Sequence, residues 1–207
     1  MPRPKKTEAE KAAMRQRILD CTEAILRAHG PEALSSRAIA ERLGMAHMSL
    51  FTYFENQQDI LQTLVERDTV KLIAEIDEIE TRMSPQAFPA IIDEILAFMV
   101  VYATEYPNMY RLAWVSPHMG YESHEQNQQR VDNIANRLGG VLKYGMDCGA
   151  LPHRDPYVCA LTIMTMVNSP FFMLYSGKYA DLAATMVISR EVIACARAYL
   201  LGGAAEQ

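Results

Sequence analysis

The chain has 207 residues, half of them apolar and 22% charged, with four scattered cysteines and no CxxC pair, a globular rather than disordered composition that excludes a zinc ribbon and argues against a disulfide scaffold. Its net charge of −5 is unevenly placed: residues 1–54 hold nine basic against six acidic side chains, and residues 55–207 hold eleven against nineteen. A mildly basic head on an acidic body offers one end to a polyanion and keeps the other end off it.

Helical periodicity runs through nearly every segment and strand alternation is almost absent, so the expected class is all-α. Residues 1–10 read as a flexible basic arm, too charged to be a signal peptide, and a cytoplasmic location is expected. Over 11–29, Met14, Ile18, Cys21 and Ile25 recur at spacings of four, three and four, one face of a helix. Gly30-Pro31 stops it. Ser35 is placed to cap a second helix, with Ile39, Ala40 and Leu43 on its inner face and Gly44 at its end. A short third helix at 46–54 buries Leu50 and Phe54. A long fourth helix follows Glu55-Asn56-Gln57 and keeps Ile60, Leu64, Leu72, Ile76, Ile79 and Met83 in register up to Ser84-Pro85. Further helices are expected at 89–104, 108–115, 122–148, 156–176 and 181–201, with Asp155-Pro156 opening the penultimate one. The expected organisation is an arm (1–10), a three-helix head (11–55), a body (56–202, with 56–82 as connecting helix) and a tail (203–207).

Residues 34–54 form a helix–turn–helix candidate. Two short helices flank a turn glycine, Ala40 permits a close crossing, and Ile39, Leu43, Leu50 and Phe54 join the pair. Such a pair can hold its second helix outward at a diameter that fits a DNA major groove. The same pattern also fits an ordinary αα-hairpin.

The stretch GPEALSSRAIAERLGMAHMSLFTYFENQQDIL, residues 30–61, resembles the DNA-binding domain of the tetracycline-repressor (TetR-like) family of bacterial regulators. The shared order is Gly30, Ser35, Ile39-Ala40, Gly44, Leu50, an aromatic at Phe51, Phe54 and Leu61. The resemblance implies a homodimer that binds a palindromic operator in double-stranded DNA and releases it when a small ligand enters the body. It also implies that the fourth helix carries the signal between the two parts. This chain departs from the family at contact positions. Phe51 stands where a phosphate-binding Tyr is usual, Gln57 where a Lys is usual, Ala46 where a small polar cap is usual, and Met48 where a small residue is common. Each lost phosphate contact weakens binding in a salt-dependent way. On this resemblance the DNA-contacting residues are Ser35, Ser36, Arg37, His47, Met48, Ser49, Thr52, Tyr53 and Gln57, with Lys5 and Lys6 of the arm. His47 and Met48 fall at the start of the recognition helix, where base edges are read. Ser49, Thr52 and Tyr53 suit phosphates. The alternative is a small-molecule-binding or protein-interaction module whose DNA-binding head has degenerated.

The second half is rich in thioethers and aromatic rings, which can line an adaptable apolar pocket. The candidates are Met99, Tyr102, Tyr106, Tyr110, Trp114, Met164, Asn168, Phe171 and Phe172, and the expected effector is apolar or aromatic. The same side chains also suit a plain core. Residues 156–176 hold no charge over twenty-one positions, a length that can cross a bilayer. Asn168-Ser169-Pro170 interrupts the run, so 156–176 is expected instead to pair with 181–201 in a four-helix dimer interface, without a membrane. The five histidines lack metal spacing, and no phosphate loop or GxSxG elbow occurs. No enzymatic activity, metal or cofactor is expected.

Overall fold

The computed structural model describes residues 7–115, 123–179 and 181–202. Among them there are helices and no strand, the all-α class expected. Lys5 and Lys6 lie outside the described residues. Helix α1 spans Glu8–His29. It starts three residues before the expected boundary because Thr7 and Glu10 form a capping box: the Glu10 N–H donates to the Thr7 hydroxyl and the Thr7 N–H to the Glu10 carboxylate. Residues 8–10, read as arm, are therefore helical. α1 ends at Gly30, and a 3₁₀ turn, Pro31–Ala33, leads to α2, Ser36–Arg42. The Ser35 hydroxyl caps α2 by accepting from the Ala38 N–H.

The turn after α2 places Gly44 at φ +65°, and the Met45 N–H reaches back to the Ala40 carbonyl. α3 follows as a single turn, His47–Leu50, with tighter turns carrying the chain through residue 54. It is shorter than expected at its C-terminal end, where i to i−3 bonds such as Tyr53 N–H to the Leu50 carbonyl replace the α-helical pattern. α4, Gln57–Thr81, is capped by Asn56. α5 spans Phe88–Glu105, and α6, Pro107–Tyr110, runs straight into a π-helical turn, Arg111–Val115. The sequence reads 108–115 as one regular helix; the structure widens its second half. α7 is His124–Asp147, α8 is Pro156–Tyr175 and α9 is Leu182–Leu201, capped by Ser123, Asp155 and Asp181 respectively.

Ile18, Ile39, Leu50, Phe54 and Ile60 fill the head core. In the body α8 packs against α7, α9 and α5, while α4 joins the two parts by packing on α1 at one end and on α7 at the other. Among the described helices α8 is the one long and apolar enough to cross a membrane. Pro170 deprives the Met166 carbonyl of its helical donor, and the Ser169 hydroxyl replaces it at 2.8 Å.

Small residues set the spacing of α7. A Cβ on Gly145 would come within 2.2 Å of the fully buried Phe88 ring, which has no room to swing away. Gly145→Ala is expected to cost about 1–3 kcal/mol, the usual cost of overpacking, and to lower the melting temperature by several degrees. An unchanged melt would contradict this packing.

Candidate nucleic-acid interface and ligand cavity

The head presents the outer faces of α2 and α3. Arg37, Met48 and Thr52 are exposed, Met48 at 72%, and Ser35, Ser36, His47 and Ser49 are half-buried. Some of the polar ones are tied to the scaffold, Ser35 through its cap on α2 and Ser36 and His47 through each other. The Ser36 hydroxyl and His47 Nε2 lie 2.8 Å apart, and the His47 ring meets Phe51 edge-on at 5.3 Å. This bond orients the first residue of α3 without any capping side chain at Ala46. Gln57 folds back onto α2: its Oε1 accepts from the Ser36 N–H at 3.0 Å and its Nε2 donates to the Leu34 carbonyl at 3.2 Å. It therefore works as an auxiliary cap on the N-terminus of α2.

Tyr53, expected at the surface, is only 6% exposed, and its ring lies in the head core. Packing rather than DNA claims its side chain. Sequence reasoning missed Arg15. Its guanidinium donates to the Tyr53 carbonyl and sits 4.0 Å from the Phe54 ring centroid, fastening α1 to the end of α3. The i, i+3 and i+4 spacing of basic and aromatic residues does not reveal a pairing across 38 positions.

Two sets of contacts hold the head to the body. Arg67 of α4 donates to Asp20 and Glu23 of α1, both at 2.6 Å. On the other side Arg111 bonds Glu32, Arg111 also donates to the Asn108 side chain at 3.1 Å, and Asn108 donates to the Arg27 carbonyl at 3.2 Å. Gly30 is required at this seam twice over. Its φ is +83°, and a Cβ there would sit 3.0 Å from the Arg111 guanidinium.

The body contains a partly open cavity of about 60 Å³ bordered by α4, α5, α7, α8 and the π turn. Met99, Tyr102, Trp114, Met164 and Asn168 border it, together with the α4 stripe Leu72, Ile76 and Ile79. A wider groove of about 340 Å³ opens along α8; it is bordered by Tyr110 and Phe172 and again by Trp114, Met164 and Asn168. Two candidates fall elsewhere. Phe171 is fully buried against Tyr110 in the core. Tyr106 is 51% exposed at the seam of α1, α5 and α6. Composition groups both with the pocket, and helix packing turns them away from it.

Charged groups stand behind this lining. The Tyr102 hydroxyl donates to the Asp68 carboxylate at 2.5 Å. Burial pushes Asp68 above its ordinary value, more than the Tyr102 hydrogen bond lowers it. Burial, followed by the Asp68 charge, pushes Tyr102 well upward, and burial also raises Tyr110, whose hydroxyl donates to the Asn168 carbonyl. The Arg130 guanidinium lies 5.0 Å from the Trp114 ring centroid and donates to the Ala113 carbonyl and the Asn127 side chain. Neither Asp68 nor Arg130 was marked by the sequence reading, since each is an ordinary charge on a polar helix stretch.

Residues 18–64 match the family described as bacterial regulatory proteins, tetR family. No curated protein matches the chain. Solved structures do. A TetR-family transcriptional regulator from Pectobacterium atrosepticum superposes with a TM-score of 0.71 at 13% identity, covering 95% of this chain and 98% of that one. A TetR-family regulator from Agrobacterium tumefaciens gives 0.68 at 17% identity, covering 89% and 98%. The regulator FadR from Bacillus subtilis, solved in complex with stearoyl-CoA, gives 0.64 at 18%, covering 89% and 97%. The head is thus TetR-like in sequence, and the whole chain has the fold of TetR-family transcriptional regulators.

Asp68 yields a prediction of defined sign. A carboxyl whose folded-state value is raised stabilises the fold below its unfolded value and loses that contribution as pH rises through the folded one. Asp68→Asn keeps an acceptor for Tyr102 without the buried charge. The variant is expected to melt higher than the parent at pH 7, with the gap closing towards pH 4 (about the unfolded carboxylate value). A gap that stays constant across that range would contradict the assignment.

Proposed function

We propose that this TetR-like chain is a ligand-responsive transcriptional regulator, a repressor, which binds a palindromic operator as a homodimer and is released by a small apolar or aromatic effector in the bacterial cytoplasm. The observation that carries this reading is an outward-facing second helix in a head whose sequence is that of a DNA-binding family, joined by one continuous helix to an apolar cavity.

The outer faces of the last two helices support the dimer. Val158, Thr165, Ser169 and Phe172 are exposed along α8 at spacings of seven, four and three. Ala183, Val187, Ala194, Ala198 and Leu201 are exposed along α9 at spacings of four, seven, four and three. The α8 set forms one stripe of small and apolar side chains and the α9 set a similar stripe interrupted by the exposed Arg190 and Glu191, a face on which helices can pair in a four-helix bundle with a charged pair at the seam. Two copies joined through 156–176 and 181–201 bury both stripes. A dimer then sets two recognition helices against half-sites one DNA turn apart, about 34–36 Å. This use of α8 involves no membrane.

Effector coupling follows from α4. Its first half meets α1 through Arg67, and its second half forms one wall of the cavity. A ligand that fits one tilt of α4 better than another changes DNA affinity by its preference between the two states and by no more. The effector arrives at a lining of apolar and aromatic side chains. FadR, which was solved with stearoyl-CoA, is a relative in fold.

The test is the chain with a labelled duplex taken from upstream of its own gene. Binding is expected at moderate salt, with two protomers per duplex and an affinity that falls as salt rises. Light scattering is expected to show a dimer at micromolar concentration. Val187→Glu, on the exposed stripe, is expected to yield folded monomers with unchanged helix content, to lower the melt because dimerisation no longer stabilises the fold, and to weaken DNA binding at least tenfold. A monomeric parent, or a dimer that binds no DNA at low salt, overturns the reading; the second result favours a ligand-binding module with a degenerate head.

A further inference from the structure

We propose that the operator is read by apolar contact: the Met48 side chain presses on the 5-methyl group of one thymine in each half-site, and that methyl, rather than a hydrogen bond to a base edge, sets the sequence preference. The proposal rests on the regulator reading above and narrows it to the chemistry by which the duplex is recognised.

The first observation is what the recognition segment lacks. Residues 43–54 hold no Lys, Arg, Asn, Gln, Asp or Glu. Those are the side chains that read guanine, adenine and cytosine edges in the major groove. The polar groups around α3 are engaged or turned inward. His47 Nε2 lies 2.8 Å from the Ser36 hydroxyl, and the ring rests edge-on against Phe51. Tyr53 packs in the head core. Gln57 is committed to α2, both ends of its carboxamide bonding the backbone at Ser36 and Leu34. Arg37 is exposed, yet it stands on α2, the helix that in this motif crosses the phosphate backbone. Ser49 and Thr52 keep their hydroxyls, which suit phosphates and discriminate poorly between bases.

The second observation is what the segment offers. Met48 is 72% exposed, more than any other large apolar side chain described, whereas Leu50 two residues on is fully buried. One side of the α3 turn thus anchors it in the head, and the other holds a bare thioether towards solvent. Met48 is the second residue of α3, in the N-terminal part of a recognition helix where base edges are met. Thymine is the base that places an apolar group, its C5-methyl, in the major groove. An unbranched, polarisable thioether can follow that methyl without demanding one exact geometry. Burying one methyl in each of two half-sites is worth about tenfold in affinity.

The test uses the full-length protein and the tightest duplex it selects from a random-sequence pool. That duplex is remade with 2′-deoxyuridine in place of thymidine, one symmetric pair of positions at a time. Uracil keeps the base pairing of thymine and lacks only the methyl. At one pair of positions the exchange is expected to weaken binding of the parent about tenfold. Met48→Ala is expected to melt like the parent, because the side chain is exposed. It is expected to bind the thymine duplex about tenfold more weakly, and the thymine and uracil duplexes within about twofold of each other. Met48→Leu, which keeps an apolar side chain of similar size, is expected to restore the discrimination. A parent that binds every uracil duplex as tightly as the thymine one overturns the proposal. So does a Met48→Ala variant with the full discrimination of the parent, which would place the reading on another side chain or on duplex shape. A parent that selects no duplex defeats the regulator reading and this proposal with it, whereas one that binds its duplex and ignores the methyl defeats this proposal alone.

Discussion

One helix holds the architecture together. α4 buttresses the head through Ile60, Leu61 and Leu64 and walls the cavity through Leu72, Ile76 and Ile79, with no break in its hydrogen-bonded backbone over Gln57–Thr81. Arg67, near its middle, bonds two carboxylates on α1 and is only 18% exposed at its side chain. Charge-assisted bonds of this kind, partly shielded from water, are worth more than surface ion pairs and are lost together when the cation goes. A rigid rod pinned in this way cannot tilt at its cavity end without carrying α1 and the rest of the head.

The short segment from Pro107 to Val115 provides a second link of different character. Asn108 and Arg111 reach towards α1 and the 3₁₀ turn, whereas Tyr110 and Trp114 face α8 and the cavities. The π-helical turn lets consecutive residues serve opposite sides, because it widens the helix and shifts the register at which side chains emerge. Gly30 completes the arrangement by leaving the space that the Arg111 guanidinium occupies. The head is therefore gripped from two sides, by α4 through Arg67 and by the π turn through Arg111, and both grips originate on elements that touch the cavities.

Much of the fold was legible because its helix boundaries rest on local chemistry. Ser35 and Asp155 cap their helices, and Gly44, Gly149 and Gly177 end theirs with positive φ. Where a boundary depended on a reciprocal pair, as at Thr7 and Glu10, the charged surroundings masked it. The π turn carries no periodic signature over five residues and was read as regular helix. The sites were less legible for a simple reason. Composition marks Met99, Trp114 and Phe171 alike, yet only the packing of α4, α5, α7 and α8 decides which of them face a cavity and which, like Phe171, fill the core. Asp68 and Arg130 were invisible in the same way: each takes its meaning from an aromatic partner 34 or 16 residues away, Tyr102 and Trp114.

Hydrogen exchange on the full-length protein, read by mass spectrometry for the parent and for Arg67→Gln, tests most directly whether α4 binds head and cavity into one unit. Loss of the guanidinium removes the bonds to Asp20 and Glu23 while leaving the apolar contacts of α4 in place. The account predicts faster exchange both across residues 18–26 of α1 and across residues 72–79, where α4 walls the cavity. Faster exchange confined to the turn around residue 67, with the cavity wall as protected as in the parent, would contradict it.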